Sequence, residues 1–219
     1  MSAAKRPQPP KLASRLALAS QEQLNLSDLE EFSDLLLDRP DFSNQRAAQV
    51  VLRSLHCKEG SWGDSHLHGV RCSDVRFTRC DLANATWEQL IAHRVEFTDC
   101  QLIGWNAQEA HLQNVLFQGC NLQFVGLRFV SCKMVRFEQC DLRNADFQRA
   151  DLSGVVFHKC DLSNAQLSGT TLKGTDFRGS TIEKLRVGIQ ELAGAIVEPL
   201  QAAYIAGLLG VVIKHEHEE

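Results

Sequence analysis

Several things are scarce in this sequence, and each absence removes a class of protein. No apolar run approaches the roughly 18 residues that a membrane-spanning helix needs, so no membrane anchor is expected. Charge of one sign does not dominate: 23 Lys and Arg stand against 27 Asp and Glu, a formal net charge of −4. That balance argues against a strongly basic nucleic-acid binder and against a highly acidic decoy. There is no Cys-x-x-Cys pair among the eight Cys, and no nucleophile elbow, phosphate loop or metalloprotease helix motif. Acid and base residues alternate on outward positions with no cavity to shelter them, so neither enzyme activity nor a cofactor is expected. The first 23 residues hold only the short apolar patch Leu16-Ala17-Leu18 after Lys5, Arg6, Lys11 and Arg15, too little for a secretory leader. Acidic residues are missing before Glu22, as in an organellar transit peptide, but a plain exposed tail is the simpler reading. A reducing, cytoplasmic setting follows as the default and disfavours disulfides.

What is present is a periodicity. The chain has 219 residues, 44% of them apolar, enough for a buried core, and 11 Phe beside three Trp and a single Tyr. Every fifth residue from Trp62 to Ile182 is apolar, through Leu67, Cys72, Phe77, Leu82, Trp87 and onward without insertion. At the chain's apolar frequency, chance would give such a run about once in a billion trials. The residue two before each is small or apolar almost throughout, as in Val75, Cys80, Ala85 and Val95. The other three positions are polar or glycine, and neither the 3.6 period of a helix nor the 2 period of a strand produces this.

A second period overlies the first. Phe77, Phe97, Phe117, Phe137, Phe157 and Phe177 are 20 residues apart, and so are Cys80, Cys100, Cys120, Cys140 and Cys160. Four five-residue units therefore close one turn of a square coil. Its large residue fills the centre and its small one sits near the corner. Stacked at about 4.8 Å per turn, six turns make a rod about 30 Å long. The fold is mainly β, a β-solenoid.

The stretch from Phe137 to Leu152, with Cys140-Asp141-Leu142 and Ala145-Asp146-Phe147, resembles the pentapeptide-repeat family, whose motif is Ala-(Asp/Asn)-Leu-x-x. The match covers about 55% of the chain and departs from the motif where Val or Cys replaces Ala and where Gln, His or Arg replaces Asp. The resemblance implies a right-handed quadrilateral β-helix.

Three segments follow. Residues 1–41 read as a tail and a capping helix, 42–194 as the β-helix with clear register over 60–182, and 195–219 as a C-terminal capping and dimerisation helix with a tail. Ser27-Asp28-Leu29-Glu30 reads as a capping box, opening a short helix with Leu29, Phe32, Leu35 and Leu36 on one side. The five-residue phase reaches back weakly through Leu52 and Ala47 to Phe42, although it would turn Gln45 inward. An open solenoid end exposes core and unpaired edge, so a cap is required. Pro199 opens a second helix that Gly210 ends, and Val211-Val212-Ile213 reads as a short strand. Leu200, Ile205, Leu208 and Leu209 exceed what one capping face needs, which suggests a homodimer, the contact that such a helix often makes in the family.

The cysteine ladder could suggest soft-metal or redox chemistry, but a column spreads ligands along a line, and small apolar filler is the simpler role. Cys57 is expected to be the most exposed thiol. His66 and His68 form an outer pair and His215-Glu216-His217 ends the chain, neither reading as a metal site. Phe124, Phe129 and Met134 occupy three consecutive outward fifth positions where other units show Asn, Gly, Gln or Arg. They are the candidate protein interface, or the surface under an N-terminal segment folded back along the rod. The partner is unidentified. Some family members bind DNA gyrase or topoisomerase IV as DNA mimics, which asks for dense negative charge. Asp81, Asp141 and Asp161 form a candidate acidic stripe, but Gln101 and Asn121 interrupt it, and residues 60–180 carry 13 acidic against 12 basic residues. The primary expectation is therefore an interaction scaffold, with topoisomerase mimicry as the alternative.

Overall fold

If apolar side chains five residues apart are all to face one axis, the backbone must bend between each pair. In the computed structural model, which describes residues 6–19, 25–208 and 210–213, it does so in about seven turns of a parallel β-solenoid. Each fifth residue from Trp62 to Ile182 is buried. The bend falls two residues after each central side chain, where the backbone enters the left-handed region: φ is 54° at Asn84, 59° at Asn144 and 61° at Asn164. Where a hydrogen bond closes the corner, as from the Ala85 N–H to the Leu82 carbonyl at 3.1 Å, the result is a type II turn. The Asp before the central residue serves the same corner. Asp81, Asp141 and Asp161 accept the N–H groups of Ala83, Arg143 and Ser163 at 3.0, 3.1 and 2.9 Å, closing Asx turns.

Between corners the chain is extended. The strands are β1 (Ala17–Leu18), β2 (Glu31–Ser33), β3 (Leu35–Asp38), β4 (Arg46–Ala48), β5 (Val51–Lys58) and β6 (His66–His68). They continue as β7 (Arg71–Thr78), β8 (Thr86–Glu88), β9 (Ile91–Thr98), β10 (His111–Gln118), β11 (Ser131–Glu138) and β12 (Val156–His158). All pair in parallel, in a large sheet ordered β1-β3-β5-β7-β9-β10-β11-β12 with β2 beside β5, and a smaller one ordered β4-β6-β8. Register repeats every 20 residues, so Phe77 lies opposite Phe97, Phe97 opposite Phe117 and Phe117 opposite Phe137.

That register stacks the Phe column. Ring centroids from Phe77 to Phe137 are 4.9, 4.9 and 4.8 Å apart, with ring planes within 7° of parallel. The spacing is that of the strands themselves, so backbone pairing and ring packing reinforce each other. Larger side chains are offset by smaller neighbours. Trp105 stands at a corner position usually held by Ala or Val, and Ala107 takes the next central position. Trp62 likewise follows Cys57, which occupies the place of a Phe.

The N-terminal end departs from expectation, and the C-terminal end does so only beyond its helix. Residues 31–38 form β2 and β3, not a capping helix, and Phe32 and Leu37 are buried in phase with Phe42. The solenoid thus begins at least ten residues before 42, because Phe32 and Leu37 satisfy the five-residue rule as well as a helical one. Ser27 Oγ and Glu30 Oε2 do meet at 2.6 Å, but around an isolated turn. Gln45 is half-buried at its corner and accepts the Leu26 N–H at 3.0 Å, so the polar inward residue ties down the chain before it. The N-terminal cap is β1, paired to β3, and residues 6–13, which precede it, lie along the rod.

At the other end α1 (Pro199–Leu208) covers the last turn. Gly210, at φ 80°, follows it, and Val211, Val212 and Ile213 are exposed and form no strand. No helix of the described residues is long and apolar enough to cross a membrane.

Candidate interaction surface

The filled interior leaves chemistry to the outer positions. Cys80, Cys100, Cys120, Cys140 and Cys160 are all buried, each sulfur 3.4–3.6 Å from a carbonyl of the turn before. A thiol is thus both small filler and a weak donor along the column. Cys57 is fully buried rather than exposed, because its place in the Phe column points it at the axis. Its thiol is held well above the ordinary range by the neighbouring Cys80 sulfur and by burial. Burial alone pushes Cys72 up in the same direction. His66 and His68 are exposed on β6, and His215 and His217 lie outside the described residues. Among the described residues no group of three or more His, Cys, Asp or Glu is gathered as for a metal ion.

The acidic stripe is occupied by its own neighbours. Beyond their turn bonds, Asp141 receives two further hydrogen bonds from Arg143 Nε and Nη2 and one from Gln123, and Arg143 also approaches Asp161 at 3.9 Å. One cation thus pairs with Asp141 and partly offsets Asp161, so the stripe is a poor imitation of unpaired phosphates.

Phe124, Phe129 and Met134 do not share one face. Being five residues apart, they stand on three successive corners of one turn, all in the left-handed conformation at φ 58°, 57° and 57°. Phe124 is 60% exposed and Phe129 42% exposed. Met134 is half-buried in the column of Ser54, Asp74 and Asn114, the edge along which the N-terminal segment lies. So the folded-back segment accounts for one of the three, and the two Phe remain uncovered. Arg149, one turn above Phe129 in its column, sits 5.6 Å from the ring centroid.

Around Phe129 the surface is concave. A groove of about 490 Å³ is lined by Gln49, His68, Gly69, Arg71, Gln89, Ile91, Glu109, His111 and Phe129. Ile91 is 44% exposed there, a contact that the sequence reading missed. Its outward position one residue before a central Ala is usually polar, which was the available signal. At the C-terminal end Leu200 is 84% exposed, whereas Ile205 packs partly against the core. The Leu208 side chain and Leu209 lie outside the described residues.

The family described as "Pentapeptide repeat region" matches residues 70–130 and 90–167. No curated protein matches the sequence. Among solved structures, a trypsin-treated form of QnrB1, a plasmid-mediated fluoroquinolone resistance protein, superposes with a TM-score of 0.59 at 15% identity. That alignment covers 86% of this chain and 99% of that one. HetL, involved in heterocyst differentiation regulation in the cyanobacterium Nostoc sp. strain PCC 7120, aligns at a TM-score of 0.39 and 20% identity, over 78% of this chain and 87% of that one. The likeness to QnrB1 is one of fold.

Proposed function

The chain belongs to the pentapeptide-repeat family, and on that premise we propose that it is a non-catalytic, cytoplasmic scaffold that holds a protein partner at Phe124 and Phe129. One observation carries the reading. Both Phe are bulky, apolar and exposed at left-handed corners where the same columns otherwise place polar residues or glycine: Asn84, Gly104, Asn144 and Asn164 in one, Gln49, Gly69, Gln89, Glu109, Arg149 and Gly169 in the other. A non-glycine residue costs about 1–2 kcal/mol in that conformation, Asn less, and exposed rings return little by burial. Apolar rings that face solvent where the columns otherwise carry polar residues or glycine are best explained by a partner that covers them. The test is to replace them with what the columns otherwise use, Phe124→Asn and Phe129→Gly. The double variant is expected to keep or raise the melting temperature and to lose its partner; unchanged capture of the same partner would overturn the reading.

A second reading, a DNA-mimic regulator of DNA gyrase or topoisomerase IV, is favoured by the rod shape shared with QnrB1. The near-neutral rod and the paired carboxylates weigh against it. In a gyrase supercoiling assay at micromolar protein, the scaffold reading expects neither inhibition nor protection from a quinolone. Exposed Leu200 on α1 supports a homodimer through this end, for which light scattering should give twice the 24.5 kDa chain mass. A monomer at micromolar concentration would remove that contact.

A further inference from the structure

The N-terminal segment has a conformation and a binding register of its own. Pro7, Pro9 and Pro10 have no N–H and hold the backbone extended, and the segment crosses successive turns of the rod instead of joining them. Three backbone groups are anchored on one edge. Gln8 N–H donates to Asn114 Oδ1 at 3.1 Å, Lys11 N–H to Asp74 Oδ1 at 2.7 Å, and Ala13 N–H to Ser54 Oγ at 2.9 Å. Arg6 approaches Glu138 at 3.8 Å further along. From Asp74 to Asn114 is two turns, about 9.6 Å at the strand spacing, and three residues of polyproline II rise about 9.3 Å. Pro7, Pro10 and Ala13 are half-buried while Gln8, Pro9 and Lys11 are exposed, the three-residue periodicity of that helix, with Leu12 an additional contact. Asn114, on an outer corner, is only 7% exposed beside this segment.

We propose that the edge built from Ser54, Asp74, Asn114 and Glu138 is a docking groove for a polyproline-II peptide, and that residues 6–13 are its built-in, exchangeable occupant. The ligand chemistry is specific: an extended, proline-bearing peptide free of acidic side chains, read through N–H groups by acceptors one or two turns apart. Exchange is reasonable because the anchoring rests on three hydrogen bonds at the surface and not on core packing. A tethered occupant also competes at high effective concentration, so an outside peptide of the same kind binds only weakly until the tether's own docking is loosened. The proposal concerns a different edge from that of Phe124 and Phe129 and stands independently of the scaffold reading.

The test uses the full-length chain and a fluorescent synthetic peptide with the sequence of residues 5–19. Pro7→Gly with Pro10→Gly frees the tether's backbone while leaving the groove intact. Ser54→Gly with Asn114→Gly removes two acceptors, and glycine suits their positive φ. Fluorescence anisotropy should show the peptide binding the proline variant at least about tenfold more tightly than the wild type. It should show no binding to the glycine-acceptor variant. Tryptic cleavage after Lys11 and Arg15, followed by mass spectrometry on intact protein, should be slow in the wild type and about tenfold faster in the acceptor variant. Equal peptide affinity for all three proteins, no binding to the proline variant, or equal cleavage of wild type and acceptor variant would each overturn the proposal.

Discussion

The side-chain amide nitrogen of Gln201 donates to the Phe177 carbonyl at 2.7 Å and also to the Ser180 carbonyl at 2.7 Å. These carbonyls belong to the last full turn, above which the chain pairs on this side only as far as the Asp176–Ile196 bridge, and a single residue of α1 takes up the carbonyls beyond it. Its Oε1 in turn accepts the Glu198 N–H at 2.9 Å, fixing the start of the helix. Replacing Gln201 with Leu keeps the bulk and orphans two acceptors, which should cost about 2–3 kcal/mol. Chemical denaturation would read it, and an unchanged midpoint would mean that α1 caps by apolar packing alone.

Trp105 and Ala107 are predicted to be energetically coupled, because the large and small positions of one unit are exchanged between them. Trp105→Ala should cost about 3–5 kcal/mol and Ala107→Leu about 1–3 kcal/mol through overpacking. The double variant restores the repeat's usual order and should be at least about 1 kcal/mol better than the sum. Strict additivity in a denaturation cycle would show that the two sites relax independently.

Acid should destabilise the rod in two steps. His56, on β5, is held below its ordinary value of 6.5 by burial and by nearby Lys58 and Arg76, so the fold favours the neutral ring. Its contribution is complete above about pH 6.5 and is lost as pH falls toward the folded value. Asp74 is held below 3.8 by its hydrogen bond to Arg94, and Asp176 by Arg178, so their contribution disappears below about pH 4. The thermal midpoint should be flat between about pH 7 and 8 and fall in those two windows. His56→Gln should flatten the first and Asp74→Asn part of the second; a midpoint that rises on acidification would reverse the sign of the argument.

All eight thiols are buried, and those of Cys57 and Cys72 are shifted up. A thiol reagent at pH 8 should therefore modify none of them in the native protein within minutes and all eight in denaturant. Fast native modification of even one would place a breach in the core column.

The solenoid was legible because its rule is local: an apolar residue every five, carried without insertion, forces the coil whatever the partner turn contains. The ends were less legible for a related reason. Phe32 and Leu35 fit a helical face as well as a coil, and the choice is made by pairing with Val51, Leu52 and His56, some twenty residues away. Cys57 looked peripheral because the repeat's clear register was counted from Trp62, yet it belongs to the Phe column. Phe124 and Phe129 could be named from spacing, but not that Met134 would lie on the edge that residues 6–13 follow. That distinction depends on Gln8 meeting Asn114, 106 residues apart, which no periodicity encodes.

The scaffold reading meets its most direct test in quantitative affinity capture from cell lysate. The wild type is compared with the Phe124→Asn, Phe129→Gly double variant, and the captured protein is then purified and titrated against both. The reading predicts one partner whose affinity falls at least about tenfold in a variant that melts no lower than the wild type. Equal affinity for both proteins would contradict it.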